Sequence, residues 1–240
     1  MTPETVFYVS GVMWLAASLQ GVAGFGFMML AVPGLILGAP AQVVVPALIL
    51  TWLPLGTVQV VQLRANVDWG LLAYLVGSAA FGLPLGAVIL RETDTETMRQ
   101  GIGGVLLALA LLLQMKPGAP LRHEGAARVG AGFIAGVLAS GTSVSGPPLV
   151  LLGVKQRWQT DRFRATLPAY FLVVSVLCLP IHWEMDLLNR ASVQLAVSGL
   201  PGVALGYATG IWLKERVGGA RFRWVVLGMV MGGGLVAVML

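Results

Sequence analysis

Between Glu4 and Arg64 the chain runs for 59 residues without one Asp, Glu, Lys or Arg. A helical membrane crossing takes about 20 apolar residues, so this stretch alone is long enough for two. Further charge-free runs cover 69–90, 100–115, 129–154, 165–183, 191–213 and 224–240. Charged residues make up 10% of the chain, against about 25% in an ordinary globular domain. Too few polar side chains are present to cover a water-facing surface of this size, which excludes a soluble enzyme. The runs are apolar on every side, whereas membrane β-strands alternate apolar and polar residues. The expected fold is therefore an all-α integral membrane protein.

Eight apolar segments can be drawn, at roughly 5–30, 42–63, 69–90, 100–115, 129–153, 165–183, 191–213 and 222–240. The fourth is short for a full crossing. Glu4 stands where a signal peptide would carry basic residues, and the run that follows exceeds an h-region, so no cleaved leader is expected. With eight crossings, ten of the 15 Lys and Arg fall on one side, among them Arg91, Arg99, Lys155, Arg162, Arg164 and Lys214. Five fall on the other: Arg64, Lys116, Arg122, Arg128 and Arg190. The richer side marks the cytoplasm and puts both termini outside. The net charge of +5 is mostly this topology signal, so no nucleic-acid partner is expected. Trp69, Trp158, Trp183, Trp212 and Trp224 lie near segment ends, where indole rings settle at the interface, while Trp14 and Trp52 are expected inside the bundle.

Cys178 is the only cysteine, and with His123 and His182 it leaves no metal-ligand spacing. No phosphate loop, nucleophile elbow or carboxylate pair lies inside a segment. Neither a catalytic residue, a metal nor a cofactor is expected, and the chain reads as a non-enzyme.

Two halves emerge from repeated patterns. VPALILTWLPLG (45–56) pairs with LPAYFLVVSVLC (167–178), and FGLPLGAVIL (81–90) with SGLPGVALGYATG (198–210). GVAGFGFMMLAVPGLILG (21–38) and ASGTSVSGPPLVLLG (139–153) each set a Gly- or Ser-rich patch before proline and a leucine-rich tail. The expected organisation is a first repeat at 1–115, a hydrophilic connection at 116–128 and a second repeat at 129–240, each of four segments with the first one broken. Residues 5–38 would measure about 51 Å as one helix, so the segment is either steeply tilted or broken near Gly21–Gly26 with a half-helix beyond; a re-entrant hairpin there would change the number of crossings and the side of the amino terminus.

In lipid, backbone groups freed by a break survive only inside protein or beside a wet cavity. Paired Gly/Pro interruptions in two halves point to a transporter's binding site. The candidate substrate-binding residues are Gln20, Gly24 and Gly26 in the first half, with Gln59 and Gln62 on the next segment. In the second half they are Ser140, Gly141, Thr142, Ser143, Ser145 and Gly146. Hydroxyls and free amides at a half-helix start suit an anion; alternatively, the small residues serve only close helix contact. Gln59 and Gln62 either line the path or bond a neighbouring helix. Gly34/Gly38, Gly82/Gly86, Gly132/Gly136, Gly202/Gly206/Gly210 and Gly228/Gly232 read as helix contacts or a homodimer face.

The first-half motif GVAGFGFMMLAVPGLILG, then LRANVDWGLL (63–72) leading to FGLPLGAVIL, and the half-repeat ASGTSVSGPPLV resemble the TauE/SafE sulfite exporter family of bacterial membrane transporters. The likeness implies secondary transport, in the export direction, of sulfite or small organosulfonates across a bacterial inner membrane. It fits a site made of amides and hydroxyls, since a buried Lys or Arg costs about 3 kcal/mol or more to insert. Coupling by a proton, by sodium or by no ion stays open. An anion channel and a non-transporting scaffold subunit are the competing readings. The second half departs from the expected glycine-rich turn, with SGTSVSGPP in its place.

Overall fold

The computed structural model describes residues 2–24, 26–114, 124–156, 158–214 and 216. The expected segment at 222–240, Gly228/Gly232, Trp224 and most of the connection at 116–128 lie outside these residues. The described residues form helices α1 (Pro3–Ala23), α2 (Phe27–Ile36), α3 (Ala41–Leu63), α4 (Trp69–Glu92), α5 (Thr95–Gln114), α6 (Glu124–Thr142), α7 (Gly146–Lys155), α8 (Thr160–Glu184) and α9 (Arg190–Lys214). A 3-10 turn at Arg64–Asn66 links α3 to α4. Among the described residues, five helices are long and apolar enough to cross a membrane: α1, α3, α4, α8 and α9.

Helix boundaries recur along the chain. α2 and α7 are both ten residues long and start at Phe27 and Gly146, an offset of 119. Ala41 and Thr160 open α3 and α8 at the same offset, and Trp69 and Arg190 open α4 and α9 at 121.

Each short helix turns back along the helix before it. Tyr8, early in α1, donates its hydroxyl to Gly34 O near the end of α2, and Val12 packs on Gly34. In the second pair, Trp158, just past α7, donates its indole N–H to Glu124 at the start of α6 over 2.9 Å. Residues 5–30 and 129–153 are therefore helical hairpins. This re-entry corrects the one-crossing count for each segment and, with it, the division of charges. Lys155, Arg162 and Arg164 come to the same end of the bundle as Arg64 and Arg128. Asp68 N, for instance, donates to Thr166 Oγ1 at 2.9 Å, joining the start of α4 to the start of α8.

The longest helix contacts are α1 along α9 and α4 along α6, both parallel. Glycine makes them possible. A Cβ on Gly82, Gly86 or Gly136 would strike the facing backbone of α4 or α6, and one on Gly202, Gly206 or Gly210 would strike the carbonyls of Ser10, Trp14 or Ser18. These glycines are intramolecular contacts, the small-residue packing that membrane helices use in the absence of a hydrophobic driving force. α3 and α8 are the most buried of the long helices. The outside carries bare apolar side chains, with Phe7 82% and Phe81 80% exposed, as a lipid-facing surface does. Trp52 is buried as expected, whereas Trp14 is 39% exposed, with its backbone carbonyl against Gly206 of α9.

Candidate functional site

The two hairpin tips are built by different local chemistry. α1 stops because Gly24 takes a left-handed φ of 80° and returns its N–H to Gln20 O at 2.7 Å. Gly26 precedes α2 with φ 105°, a region open to glycine at little cost. In α6 the left-handed residue is Ser143, at φ 60°, and its N–H bonds Ala139 O at 3.1 Å. Val144 N then turns to Thr142 Oγ1 at 3.1 Å. Pro147 and Pro148 follow in the first turn of α7, where no helical N–H is lost. Serine thus supplies in the second half the turn that glycine supplies in the first.

A cavity of about 60 Å³ lies between the tips, room for about four or five waters. Gly26 and the start of α2 (Phe27, Met28 and Met29) border it on one side, and the turn Ser143, Val144 and Ser145 with the start of α7 (Gly146 and Pro147) on the other. Ile49 and Trp52 of α3 face Leu167, Phe171, Ser175 and Cys178 of α8 across it. The amino ends of both short helices therefore open on one mostly apolar space, at about half the length of α3 and α8. Trp52 is stacked edge-on against Phe171, at 6.0 Å between ring centres.

Gln20 ties the first tip together. Its Oε1 accepts the Phe27 amide at 3.0 Å, and its Nε2 donates to Gly24 O and to Gln59 Oε1, both at 3.0 Å. That satisfies one orphan donor of α2 and leaves the side chain with little spare capacity, although it borders the cavity. Ser145 differs. It is 5% exposed and borders the cavity, and its hydroxyl has no hydrogen-bond partner among the described residues.

The cavity brings together five of the residues expected from sequence: Gln20, Gly26, Ser143, Ser145 and Gly146. The others stand elsewhere. Gly24 shapes the turn, and Gln59 reaches the site only through Gln20. Gln62 is exposed at the end of α3, where its Oε1 accepts from Tyr207 at 3.2 Å. Ser140 faces His182, Gly141 packs on Gly86 of α4, and the Thr142 hydroxyl donates to Leu138 O at 2.8 Å. Sequence reasoning missed the apolar walls, Met28, Met29, Trp52 and Phe171, which look like any buried side chain in an apolar segment.

A second cleft opens at the bundle end that carries Arg64. Asp68, Tyr74, Arg128, Trp158 and Arg162 border it. Glu124 holds this mouth together, accepting from Trp158 and, at 2.7 Å, from Arg128. The Trp158 hydrogen bond, helped by Arg128, keeps the Glu124 carboxyl below its ordinary range.

Among the described residues no group of His, Cys, Asp and Glu is placed to hold a metal ion. No curated protein and no solved structure matches the chain. The model of the family described as Sulfite exporter TauE/SafE matches residues 9–237. With a multi-pass apolar bundle around paired half-helices, and with a family match over nearly its whole length, this chain belongs to the TauE/SafE sulfite exporter family.

Proposed function

We propose that the protein is a secondary transporter that exports a small sulfur-containing anion, sulfite or a small organosulfonate, across a bacterial inner membrane. The observation that carries the reading is the opening of two half-helix amino ends, α2 and α7, on one cavity. Helix amino ends carry partial positive charge, so the pair attracts an anion without a buried cation; at α7, where Pro147 and Pro148 have no N–H, that charge and the neighbouring hydroxyl do more than free amides. The unpartnered Ser145 hydroxyl adds a donor. Met28, Met29, Trp52 and Phe171 accommodate the carbon atoms of an organosulfonate.

The recurring helix boundaries support two duplicated halves, 1–115 and 129–240, joined by 116–128. Because α1 and α6 start at opposite ends of the bundle, the halves are inverted relative to each other, as in many secondary transporters. Ten Lys and Arg are described; seven cluster at the end with Arg64 (Arg64, Arg128, Lys155, Arg162, Arg164, Lys214 and Arg216) and three at the other (Arg91, Arg99 and Arg190). That asymmetry supports a cytoplasmic Arg64 end and an amino terminus outside. The cavity then lies near the middle of the membrane.

Current recording on proteoliposomes tests the reading, with sulfite, sulfate, thiosulfate, taurine, sulfoacetate and small carboxylates offered in turn. A saturable current or labelled counterflow for a sulfur anion supports a transporter. Unitary currents at channel rates would favour an anion channel, and silence in both assays a scaffold subunit.

A further inference from the structure

His182 lies in the last turn of α8 and is fully buried. Its Nε2 is 3.0 Å from Ser140 Oγ and 3.2 Å from Ser140 O. That carbonyl belongs to the final turn of α6, and Val144 N, the amide that would close the turn, is bonded to Thr142 Oγ1 instead. The ring therefore stands at the carboxyl end of α6, immediately before the hairpin tip. Nδ1, the second ring nitrogen, is buried with no hydrogen-bond partner among the described residues.

The elements packed on α8 bring few charges near this ring. α3 has no ionisable side chain, and Glu124 and Arg128 of α6, Asp68 before α4, and Arg64 are at the opposite end. Arg91 and Glu92 of α4 are at the same end but exposed, 3.5 Å from each other. Glu184 ends α8, Asp186 and Arg190 follow it, and all three are exposed. On α8 itself the Cys178 thiol is one turn away and borders the cavity. What faces the imidazole is thus a helix carboxyl end, which carries partial negative charge and favours a cation.

We propose that His182 is a proton-binding site whose occupancy is tied to the geometry of the α6–α7 hairpin and thereby to passage of the anion. Ionisable side chains inside a membrane mark proton and ion pathways, and an imidazole that reaches water exchanges its proton near neutral pH. A protonated ring has two N–H donors. Nε2–H is met by Ser140, but Nδ1–H finds no acceptor in the closed bundle. A conformation that brings water or a carbonyl to Nδ1 holds the proton more tightly, so the proton shifts the population toward that conformation. Ser140 is three residues from Ser143 at the cavity wall, so movement of one end of the hairpin reaches the other. The coupling to transport rests on the export reading above; the link between proton and hairpin does not.

The test has two arms. In a His123→Gln background only one imidazole remains, and its ring ¹⁵N signals are followed by NMR in nanodiscs, without substrate, from about pH 4 to 8. The ring is expected to titrate, with the Ser143, Ser145 and Gly146 amide signals moving at the same midpoint and Ser140→Ala shifting that midpoint. A single neutral tautomer throughout, or titration with those amides unmoved, would overturn the proposal. In the second arm, labelled sulfite efflux is compared between wild type and His182→Gln over the same range. The ratio of the two rates is expected to change by at least about threefold with pH, and a constant ratio rejects the coupling. Absence of flux in both proteins rejects the export reading instead, and the first arm still decides the proton site.

Discussion

Gln20 Nε2 donates to Gln59 Oε1 across 3.0 Å while Gln20 Oε1 accepts the Phe27 amide at the same distance. One side chain therefore joins the end of α1, the start of α2 and the body of α3. The short helix α2 has no side-chain cap of its own at Gly26, so its position against the cavity depends on this glutamine.

Replacing Gln20 by Ala should destabilise the protein by about 2–3 kcal/mol, because buried partners are left unpaired. Thermal unfolding in detergent reads the loss. Gln20→Glu keeps the acceptor for Phe27 N but brings a negative charge to the cavity, so sulfite affinity should fall by more than stability does. Equal effects of the two substitutions on binding would count against the site.

Gly206 and Gly141 test packing against binding. A valine at Gly206 drives its side chain into the α1 backbone at Trp14, and the cost should be about 3 kcal/mol or at the upper end of overpacking, seen as a lost monodisperse peak. At Gly141 the fit is milder, a Cβ meeting Gly86 O of α4 at 3.1 Å, so the Gly141→Val cost should be smaller. Both should lower stability first; a stable Gly141→Val protein that fails only in binding would show that Gly141 touches the anion.

Acid should loosen the mouth at the Arg64 end through Glu124. Its folded-state pKa is depressed by Trp158 and then Arg128, so its contribution is present above the unfolded value and lost as pH falls through the folded one. The melting temperature of wild type should exceed that of Glu124→Gln above about pH 5, and the two should converge toward about pH 3. A constant difference across that range would exclude the carboxylate as the cause.

The breaks were legible in the sequence because their causes are local. Gly24 and Gly26 permit positive φ, and Pro147–Pro148 start a helix. The direction of the chain after each break was not legible. Whether α2 continues or returns depends on Val12 meeting Gly34, a contact that no spacing rule encodes, and with it Arg162 and Arg164 come to share an end with Arg64 rather than with Arg91. Gln59 and Gln62 were a natural pair at three residues apart, yet rotation of α3 turns one to Gln20 and the other outward to Tyr207. Gly141 sits in the most polar motif of any segment and still faces α4, because the motif names a break and not the face of the helix before it.

The central claim, that an anion passes between the starts of α2 and α7, is tested most directly by efflux of labelled sulfite from proteoliposomes of wild type, Ser145→Asp and Gln62→Ala. Ser145 borders the cavity and Gln62 is exposed away from it. The account predicts saturable efflux by wild type, at least about a tenfold loss in Ser145→Asp, about 1.4 kcal/mol, and little change in Gln62→Ala. Full activity in Ser145→Asp, or an equal loss in Gln62→Ala, would contradict it.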